Sequence, residues 1–590
     1  MNYFHSVKEI SLRHAGIFAA ALVMAFLVNF PVVAFPFFAG SAYGGINIPG
    51  FGTDEHAYLV RAHKVLTQGN LANPYIADGK GQAQLSYSSA ETIILAPFRL
   101  LGLDTIDVSI LYPILDFIGV IAAMLAIYAC VRMFSRDRLL ATAVAVFVIG
   151  GYSIIYNKAL FYTDYNIYER ALFPVASAIP FFLYLLFSYR AVVERRSYYY
   201  AAGAALALGL MFYEYFYAWT FSLAFVGSLF LVSVVLRDWV AARVTLLIGA
   251  CGTIVGAPVL VPILSFYSGA SSRQLSYFNA VSHGRVPIMS LIGVATCALF
   301  VIYLYRHRGD PSIPFIGACI LAGWVALEQQ LITGTYLQYG HYYWYFIVPL
   351  SIVVGVYMLY VLMPRAWRVW FCALLIGLAL VNTVGGQYRS LQSDMPDRLH
   401  EQEYAPAIGF LQKAPYTVVL SGLGGEPFTY LVNIYTNDDL YWAPGALLYN
   451  VSMDRVRESL FVYLYLNRDS RSDPAAYLES GLNAGTTTPY VNLYSQLEGY
   501  QSGLDYYDYQ QAEDAKNPAI LALREKLLAG IRTDYEAEFG SVTDFLALLK
   551  QRNVGYILWD TRLYPEWDFS HLPISLVASE GTVKLYKLTY

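Results

Sequence analysis

Apolar runs of nearly membrane-spanning length alternate with short charged connections from the N-terminus to about residue 384. A helix needs about 20 apolar residues to cross the hydrocarbon core of a bilayer. The pattern therefore predicts a polytopic α-helical membrane protein with about 11 transmembrane helices. These runs cover residues 15–38, 108–131, 139–156, 171–189, 199–217, 219–236, 244–266, 287–305, 314–332, 342–363 and 367–384.

The pattern changes beyond residue 384. Strand-like runs such as VGYILWD alternate with helix-like runs such as VTDFLALLKQR, and the chain closes on the alternating TVKLYKLTY. About 200 residues suffice for one compact domain. We therefore predict a transmembrane module over residues 1–384, interrupted by polar loops 39–107 and 157–170, and a C-terminal α/β domain over residues 385–590.

Basic residues mark alternate connections between the predicted helices. Lysine and arginine are enriched in cytoplasmic loops, so this side is predicted to be cytoplasmic. An odd number of helices then places loops 39–107 and 157–170 and the C-terminal domain on the opposite, outward side. The basic connections carry Arg132, Arg136, Arg138, Arg190, Arg195, Arg196, Arg237, Arg243, Arg306, Arg308, Arg365 and Arg368.

Composition narrows the class of protein further. Only 14% of residues are charged and 57% are hydrophobic, whereas soluble domains average about a quarter charged. The net charge of -4 gives no reason to expect a nucleic-acid partner. All five cysteines lie in apolar runs without metal-ligand spacing, and none lies in the C-terminal domain. These features favour a bacterial inner membrane, with the C-terminal domain in the periplasm.

Acidic pairs occupy both outward loops. Asp54 and Glu55 follow the first apolar run in FGTDEHAYLVRAHKVLTQGN, and Asp164 and Glu169 lie in FYTDYNIYERALFP. A simple alternative for the first pair is a helix capped by Gly52-Thr53 that lies at the membrane interface. Each loop also holds cations: Arg61 and Lys64 in the first, Lys158 and Arg170 in the second. Carboxylates can deprotonate an attacking hydroxyl, and cations can stabilise a phosphate leaving group. We therefore expect the loops to converge.

In these loops the chain resembles the GT-C superfamily of membrane glycosyltransferases, especially protein O-mannosyltransferases and bacterial aminoarabinose transferases. The similarity rests on DEHAYLVRAHKVLTQGN, on FYTDYNIYERALFP, on the number of predicted helices and on the outward C-terminal domain. The segments LITGTYLQYGHYYWYFIVPL and RNVGYILWD also look like parts of bacterial members.

The resemblance implies inverting transfer of a sugar from a polyprenyl-phosphate donor to a hydroxyl of a glycan, lipid or protein acceptor. Asp54 matches the catalytic base of the first loop, Glu55 its partner, and Asp164 the acid of the second loop. Other candidate substrate-binding residues, the cations among them for the phosphate, are Tyr58, Arg61, Glu169, Arg170, Arg273 and His341.

Some branches of this superfamily hold a divalent cation between such carboxylates. If one is present here, Asp54, Asp164 and Glu169 are the expected ligands. Oxygen ligands suit Mg²⁺ or Mn²⁺, although the spacing of these residues requires neither.

Two other functions stay open. Asp116, Glu214 and Glu328 lie within predicted transmembrane helices, where charge is costly, and this is compatible with a proton-coupled transporter or flippase. The chain shows no inverted repeat of the kind common in transporters. A lipid-linked polysaccharide ligase or polymerase would use a pyrophosphate-linked glycan, but we find no long outward loop rich in arginine.

Overall fold

The computed structural model describes residues 2–50, 53–69, 72–80, 89–195, 198–267, 272–424, 427–449, 451–539 and 541–590. The proposed cap residue Gly52 lies outside these ranges. Up to Gln402 the described chain is almost entirely helical. Its helices are α1 Asn2–Val28, α2 Phe30–Ala39, α3 Thr53–Gln68, α4 Ala90–Leu100, α5 Val108–Ser135, α6 Arg138–Gly150, α7 Tyr152–Tyr156, α8 Ser177–Val192, α9 Tyr198–Glu214, α10 Phe216–Val235, α11 Trp239–Tyr267, α12 Ser272–Phe278, α13 Leu291–Arg306, α14 Ile313–Leu327, α15 Gln330–Thr333, α16 Tyr339–Tyr342, α17 Val348–Leu362 and α18 Arg368–Gln402.

The C-terminal part mixes helices with a sheet, as predicted. Its helices are α19 Ala405–Leu411, α20 Leu431–Tyr435, α21 Met453–Leu466, α22 Pro474–Asn483, α23 Pro489–Ser502, α24 Tyr506–Asp514, α25 Pro518–Glu538 and α26 Val542–Gln551. Two short strands of the helical part, β1 Ser282–His283 and β2 Thr335–Tyr336, pair with each other. The larger sheet is formed by β3 Val418–Leu420, β4 Asp439–Leu440, β5 Val554–Asp560, β6 Ile574–Glu580 and β7 Val583–Leu588.

This sheet has the order β4-β3-β5-β7-β6. The β3 strand is parallel to both of its neighbours, and β7 is antiparallel to both of its neighbours. Most β5 side chains are buried, as expected for a central strand covered on both faces. One helix, α18, continues through residues 384 and 385, the predicted boundary between the two parts.

Among the described residues, six helical segments are long and apolar enough to cross a membrane, which describes a multi-pass membrane protein. The helices on either side of Asn29, bent by 44°, form a seventh if they are counted as one span. The six segments are Val108–Ser135, Ala171–Val192, Phe216–Val235, Trp239–Ser265, Tyr339–Leu362 and Arg365–Gln402.

The prediction of about 11 transmembrane helices is therefore wrong by this criterion. Four of the predicted runs form helices of only 13, 17, 16 and 15 residues, namely α6, α9, α13 and α14. At 1.5 Å per residue the longest of these extends about 26 Å, which is less than the hydrocarbon thickness of about 30 Å. In these runs the apolar residues continue past the helix end into kinks and turns.

Glycines allow close helix packing between α9 and α11. A Cβ atom at Gly252 would lie 2.6 Å from the Leu208 side chain, and one at Gly209 would overlap Val255. Small residues let transmembrane backbones approach in this way, since apolar burial drives little association in lipid.

The loop over residues 39–107 is fastened to the C-terminal domain. Ile76 forms a parallel bridge with Leu440 at the edge of the large sheet. On α3 the buried ammonium of Lys64 lies 3.1 Å from an Asp439 carboxylate oxygen. The first acidic pair is therefore carried by a helix that the C-terminal domain holds in place.

We predict that Gly252→Val destabilises the protein by about 1–3 kcal/mol, because the added side chain overpacks the contact with Leu208. Thermal unfolding in detergent measures this. Gly227→Val is the matched control, because no heavy atom lies within 4 Å of a Cβ at Gly227 in the neighbouring helix α10. Equal unfolding temperatures for the two variants would contradict this packing.

Candidate functional site

The two acidic loops meet at a cavity of about 580 Å³. The structure thus brings together the two pairs that the sequence placed in separate loops. Residues that line the cavity include Asp54, Glu55, Asp164, Glu169, Arg170 and Gln387. A volume of this size is typical of small-molecule sites.

Arg170 holds the first acidic pair. Its Nη2 atom lies 3.0 Å from Asp54 Oδ2, and its Nε atom lies 2.5 Å from Glu55 Oε1. The Tyr112 hydroxyl donates to the other Glu55 oxygen at 3.1 Å. The Asp54 side chain is 73% exposed, whereas that of Glu55 is 5% exposed. Asp54 is therefore the carboxylate that a ligand can reach, and Glu55 fixes the guanidinium.

An interruption of the helical structure at Arg170 directs its side chain toward α3. A 3₁₀ turn over Ile167–Glu169 is capped by Asn166, whose side chain accepts from the Tyr168 amide. Arg170 itself is extended, with φ -113° and ψ 103°, and a π-helical turn over Ala171–Ala176 then leads into α8. This extended residue lets the guanidinium leave the axis of the transmembrane helix that follows it.

Glu169 forms the buried wall of the cavity. Its Oε1 atom accepts from the Gly50 amide at 3.3 Å, and its Oε2 atom accepts from Gln387 Nε2 at 2.6 Å. Burial raises the pKa of Glu169 to about 8, although Arg398 and these hydrogen bonds oppose the shift. Burial also raises the pKa of Glu55, against the opposing charge of Arg170. Near neutral pH Glu169 therefore carries a proton in most molecules.

Asp164 lies at the exposed rim of the same cavity. Its Oδ1 atom accepts from the Tyr165 amide at 3.0 Å. The structure thus places Asp164 beside the other acids, while its catalytic role stays a prediction.

Aromatic residues surround the guanidinium of Arg170. The Tyr58 ring centroid lies 5.5 Å from its central carbon, and the Tyr345 hydroxyl lies 3.4 Å from Nη1. His341 stacks on Tyr217 with 4.7 Å between ring centroids. Tyr58 and His341 therefore belong to the surroundings of Arg170, and their binding of substrate stays a prediction.

Two predicted substrate-binding residues lie elsewhere. Arg61, two helical turns beyond Asp54, pairs with buried Glu91 at an Nε–Oε1 distance of 2.8 Å. Arg273 donates to the Tyr500 carbonyl at 2.7 Å and lies over the Tyr500 ring. Neither residue lines the cavity. Each arginine stabilises a contact between chain segments, and substrate binding by Arg61 and Arg273 stays a prediction.

The expected metal ligands do not form a metal site. In the part of the chain that the structure describes, no group of three or more His, Cys, Asp or Glu side chains could hold an ion. Arg170 already pairs with Asp54, and both Glu169 oxygens accept hydrogen bonds from the protein. These residues do not fit Mg²⁺ or Mn²⁺ in this arrangement, and the chemistry proposed below uses no metal step.

Sequence reasoning missed Tyr112 and Gln387, which hold Glu55 and Glu169. Tyr112 lies inside an apolar run rich in other aromatic residues, and Gln387 lies three residues beyond the last predicted run. The position of Gln387 just past the end of a predicted transmembrane helix is the available sequence signal. It does not indicate which residue Gln387 contacts.

An apolar groove of about 440 Å³ adjoins this site between α5, α8 and α9. Tyr112 lines the groove and also bonds Glu55, so this one side chain separates the groove from the cavity. Ala171 and Leu172, which directly follow Arg170, line the groove as well. Its surface is otherwise hydrocarbon except for Glu214. A polar cavity and an apolar groove therefore meet at Arg170.

Comparison with known proteins gives a similarity to a solved structure. No protein-family model and no curated protein sequence matches the chain. Among solved structures, the fold is similar to that of the oligosaccharyltransferase from Archaeoglobus fulgidus, determined in complex with zinc and sulfate. The TM-score is 0.44 at 12% identity, and the match covers 77% of this chain. The chain spans just under two thirds, 66%, of that enzyme.

We predict that Glu169→Gln weakens the pH dependence of stability. The pKa of this acid rises from 4.5 to about 8 on folding, so the folded state keeps a proton that the unfolded chain has lost. The free energy of unfolding must then fall as the pH rises from about 4.5 to about 8, and it levels off at higher pH. The total decrease is on the order of a few kcal/mol. Unfolding temperatures measured across this window should fall less for Glu169→Gln than for the parent.

Asp164→Asn is the control for this experiment, because Asp164 is an exposed acid of the same cavity. It should keep the pH dependence of the parent. Parallel curves for the parent and Glu169→Gln would show that Glu169 does not carry the proton.

Proposed function

We propose that the protein is a membrane glycosyltransferase. On this proposal it moves a sugar from a polyprenyl-phosphate donor to an acceptor hydroxyl, with inversion, at the outward face of a bacterial inner membrane. One observation carries the proposal: an exposed carboxylate, Asp54, and its partner Arg170 lie where a polar cavity meets an apolar groove.

The apolar groove suits the hydrocarbon chain of the donor. Burial of such a chain contributes about 0.8 kcal/mol for each CH₂ group removed from water. The groove lining includes Ala171, the residue after Arg170. A chain seated there would place its phosphate beside the guanidinium, which has the fork geometry that phosphate oxygens prefer.

The polar cavity suits the sugar and the acceptor. Asp54 would remove the proton of the acceptor hydroxyl as that oxygen attacks the anomeric carbon. The bond from this carbon to the phosphate oxygen breaks, and its electron pair stays on the phosphate. The leaving polyprenyl phosphate thereby gains one negative charge, which Arg170 would stabilise in the transition state. Attack from the face opposite the phosphate inverts the anomeric centre.

Glu55 has a positioning role in this scheme. It binds Arg170 on one oxygen and Tyr112 on the other, so the guanidinium cannot turn away from the groove. The acceptor could be a glycan, a lipid or a protein, since each can present a hydroxyl group in an open cavity.

The test is sugar transfer by the purified protein in nanodiscs, supplied with a panel of polyprenyl-monophosphate sugars with and without a chelator. We expect release of polyprenyl phosphate that Asp54→Asn reduces by about 10²–10⁴-fold, the usual contribution of a general base. Asp454→Asn is the control, because that side chain is 91% exposed on the C-terminal domain. Absence of turnover by the parent on every donor, or full activity of Asp54→Asn, would overturn the proposal.

Arg170→Lys tests the phosphate contact separately. An ammonium group is a single point charge and cannot reproduce a fork that binds two carboxylates and a phosphate. We expect kcat/KM for the donor to fall at least about tenfold, the effect of losing one charged hydrogen bond. A lysine variant with the kinetics of the parent would remove Arg170 from the mechanism.

A further inference from the structure

Glu214 has no role in the chemistry described so far, and its position is costly. It is the last residue of α9 and lines the apolar groove. The residue is only 9% exposed, and its Oε2 atom has no hydrogen-bond partner among the described residues. An unpartnered buried carboxyl group costs free energy, so such a group in a membrane protein calls for a functional explanation.

Glu214 lies at the end of the groove that is close to Arg170. The next residue, Tyr215, stacks on Phe173 with 4.2 Å between ring centroids, and Phe173 packs against Tyr58 at 5.6 Å. Tyr58 in turn lies over Arg170. Glu214 is therefore at the end of the groove where a lipid phosphate would lie if its chain filled the groove.

The lining of the groove decides the chemical form of Glu214. No cation lines the groove, and the other lining residues of the described chain are apolar apart from the hydroxyl of Tyr112. Without a counter-charge, a buried carboxyl group is more stable in its neutral, protonated form. A protonated carboxyl group is a hydrogen-bond donor.

A lipid phosphate at this point would have few charged donors beside it. Of the described residues that line the cavity and the groove, Arg170 alone is a cation. Its guanidinium already forms ion pairs with Asp54 and Glu55. A second donor would strengthen the binding of a phosphate that lies where the groove meets the cavity.

We propose that Glu214, as a neutral acid, donates a hydrogen bond to a phosphate oxygen of the lipid in the groove. It would thereby select phosphorylated isoprenoids over isoprenoid alcohols. The identity of the lipid rests on the proposed function, whereas the need for a hydrogen-bond acceptor near Glu214 does not.

The experiment measures binding of farnesyl phosphate and of farnesol to the full-length protein in nanodiscs by calorimetry, without any sugar donor. Empty nanodiscs correct for partitioning of the lipids. We expect the parent to prefer the phosphate, and Glu214→Leu to reduce this preference at least about tenfold, the effect of losing a hydrogen bond to a charged group. Affinity of Glu214→Leu for farnesol should stay equal to that of the parent or rise.

Two further variants sharpen the result. Glu214→Gln keeps a donor and should hold the preference within about threefold of the parent. Leu210→Ala, in the same groove, should weaken both lipids alike and leave the preference unchanged. An unchanged preference in Glu214→Leu, or the same loss in Glu214→Gln as in Glu214→Leu, would overturn the inference, as would a parent that binds neither lipid.

Failure of this inference is distinguishable from failure of the proposed function. Preferential binding that depends on Glu214, in a protein that transfers no sugar, would uphold a phosphate-lipid site and reject the transferase. Sugar transfer together with an unchanged lipid preference in Glu214→Leu would uphold the transferase and reject the role of Glu214 in phosphate binding.

Discussion

The arrangement of the site depends on one shared cation. Arg170 pairs with Asp54 and Glu55, which are 116 and 115 residues away in the sequence. Removing one partner of a buried ion pair leaves an uncompensated charge and is strongly destabilising. The loop before α8 and the helix α3 are therefore held in one relative position. That position puts a reachable carboxylate on one side of the guanidinium and a hydrocarbon-lined groove on the other.

Contacts with α18 and with the C-terminal domain hold the two acidic loops in place. His56, the residue after Glu55, binds buried Glu401 of α18 at 2.8 Å, and Lys64 binds Asp439 of the C-terminal domain. The same helix α18 supplies Gln387 to Glu169. The C-terminal domain and helix α18 thus fix both acidic loops, and this connects the domain to the cavity.

Much of this organisation follows from sequence pattern. Apolar periodicity located a helix at every predicted run, and acidic pairs in two loops on one predicted side indicated that the loops would meet. Helix length was less predictable, because the apolar run 139–156 continues past the end of α6 at Gly150 into the short helix α7. Side-chain partners were least predictable. Arg61 and Arg170 are equally plausible phosphate ligands from the sequence alone. Only the fold shows that Arg61 pairs with Glu91 and Arg170 with Asp54.

The most direct test of the proposed site is a cryo-electron microscopy structure of the protein in nanodiscs with a polyprenyl-phosphate sugar bound. We expect the phosphate within hydrogen-bond distance of Arg170, the isoprenoid chain in the groove between α5, α8 and α9, and the sugar in the cavity facing Asp54. A donor bound with its phosphate away from Arg170, or with its sugar outside the cavity, would contradict the proposed site.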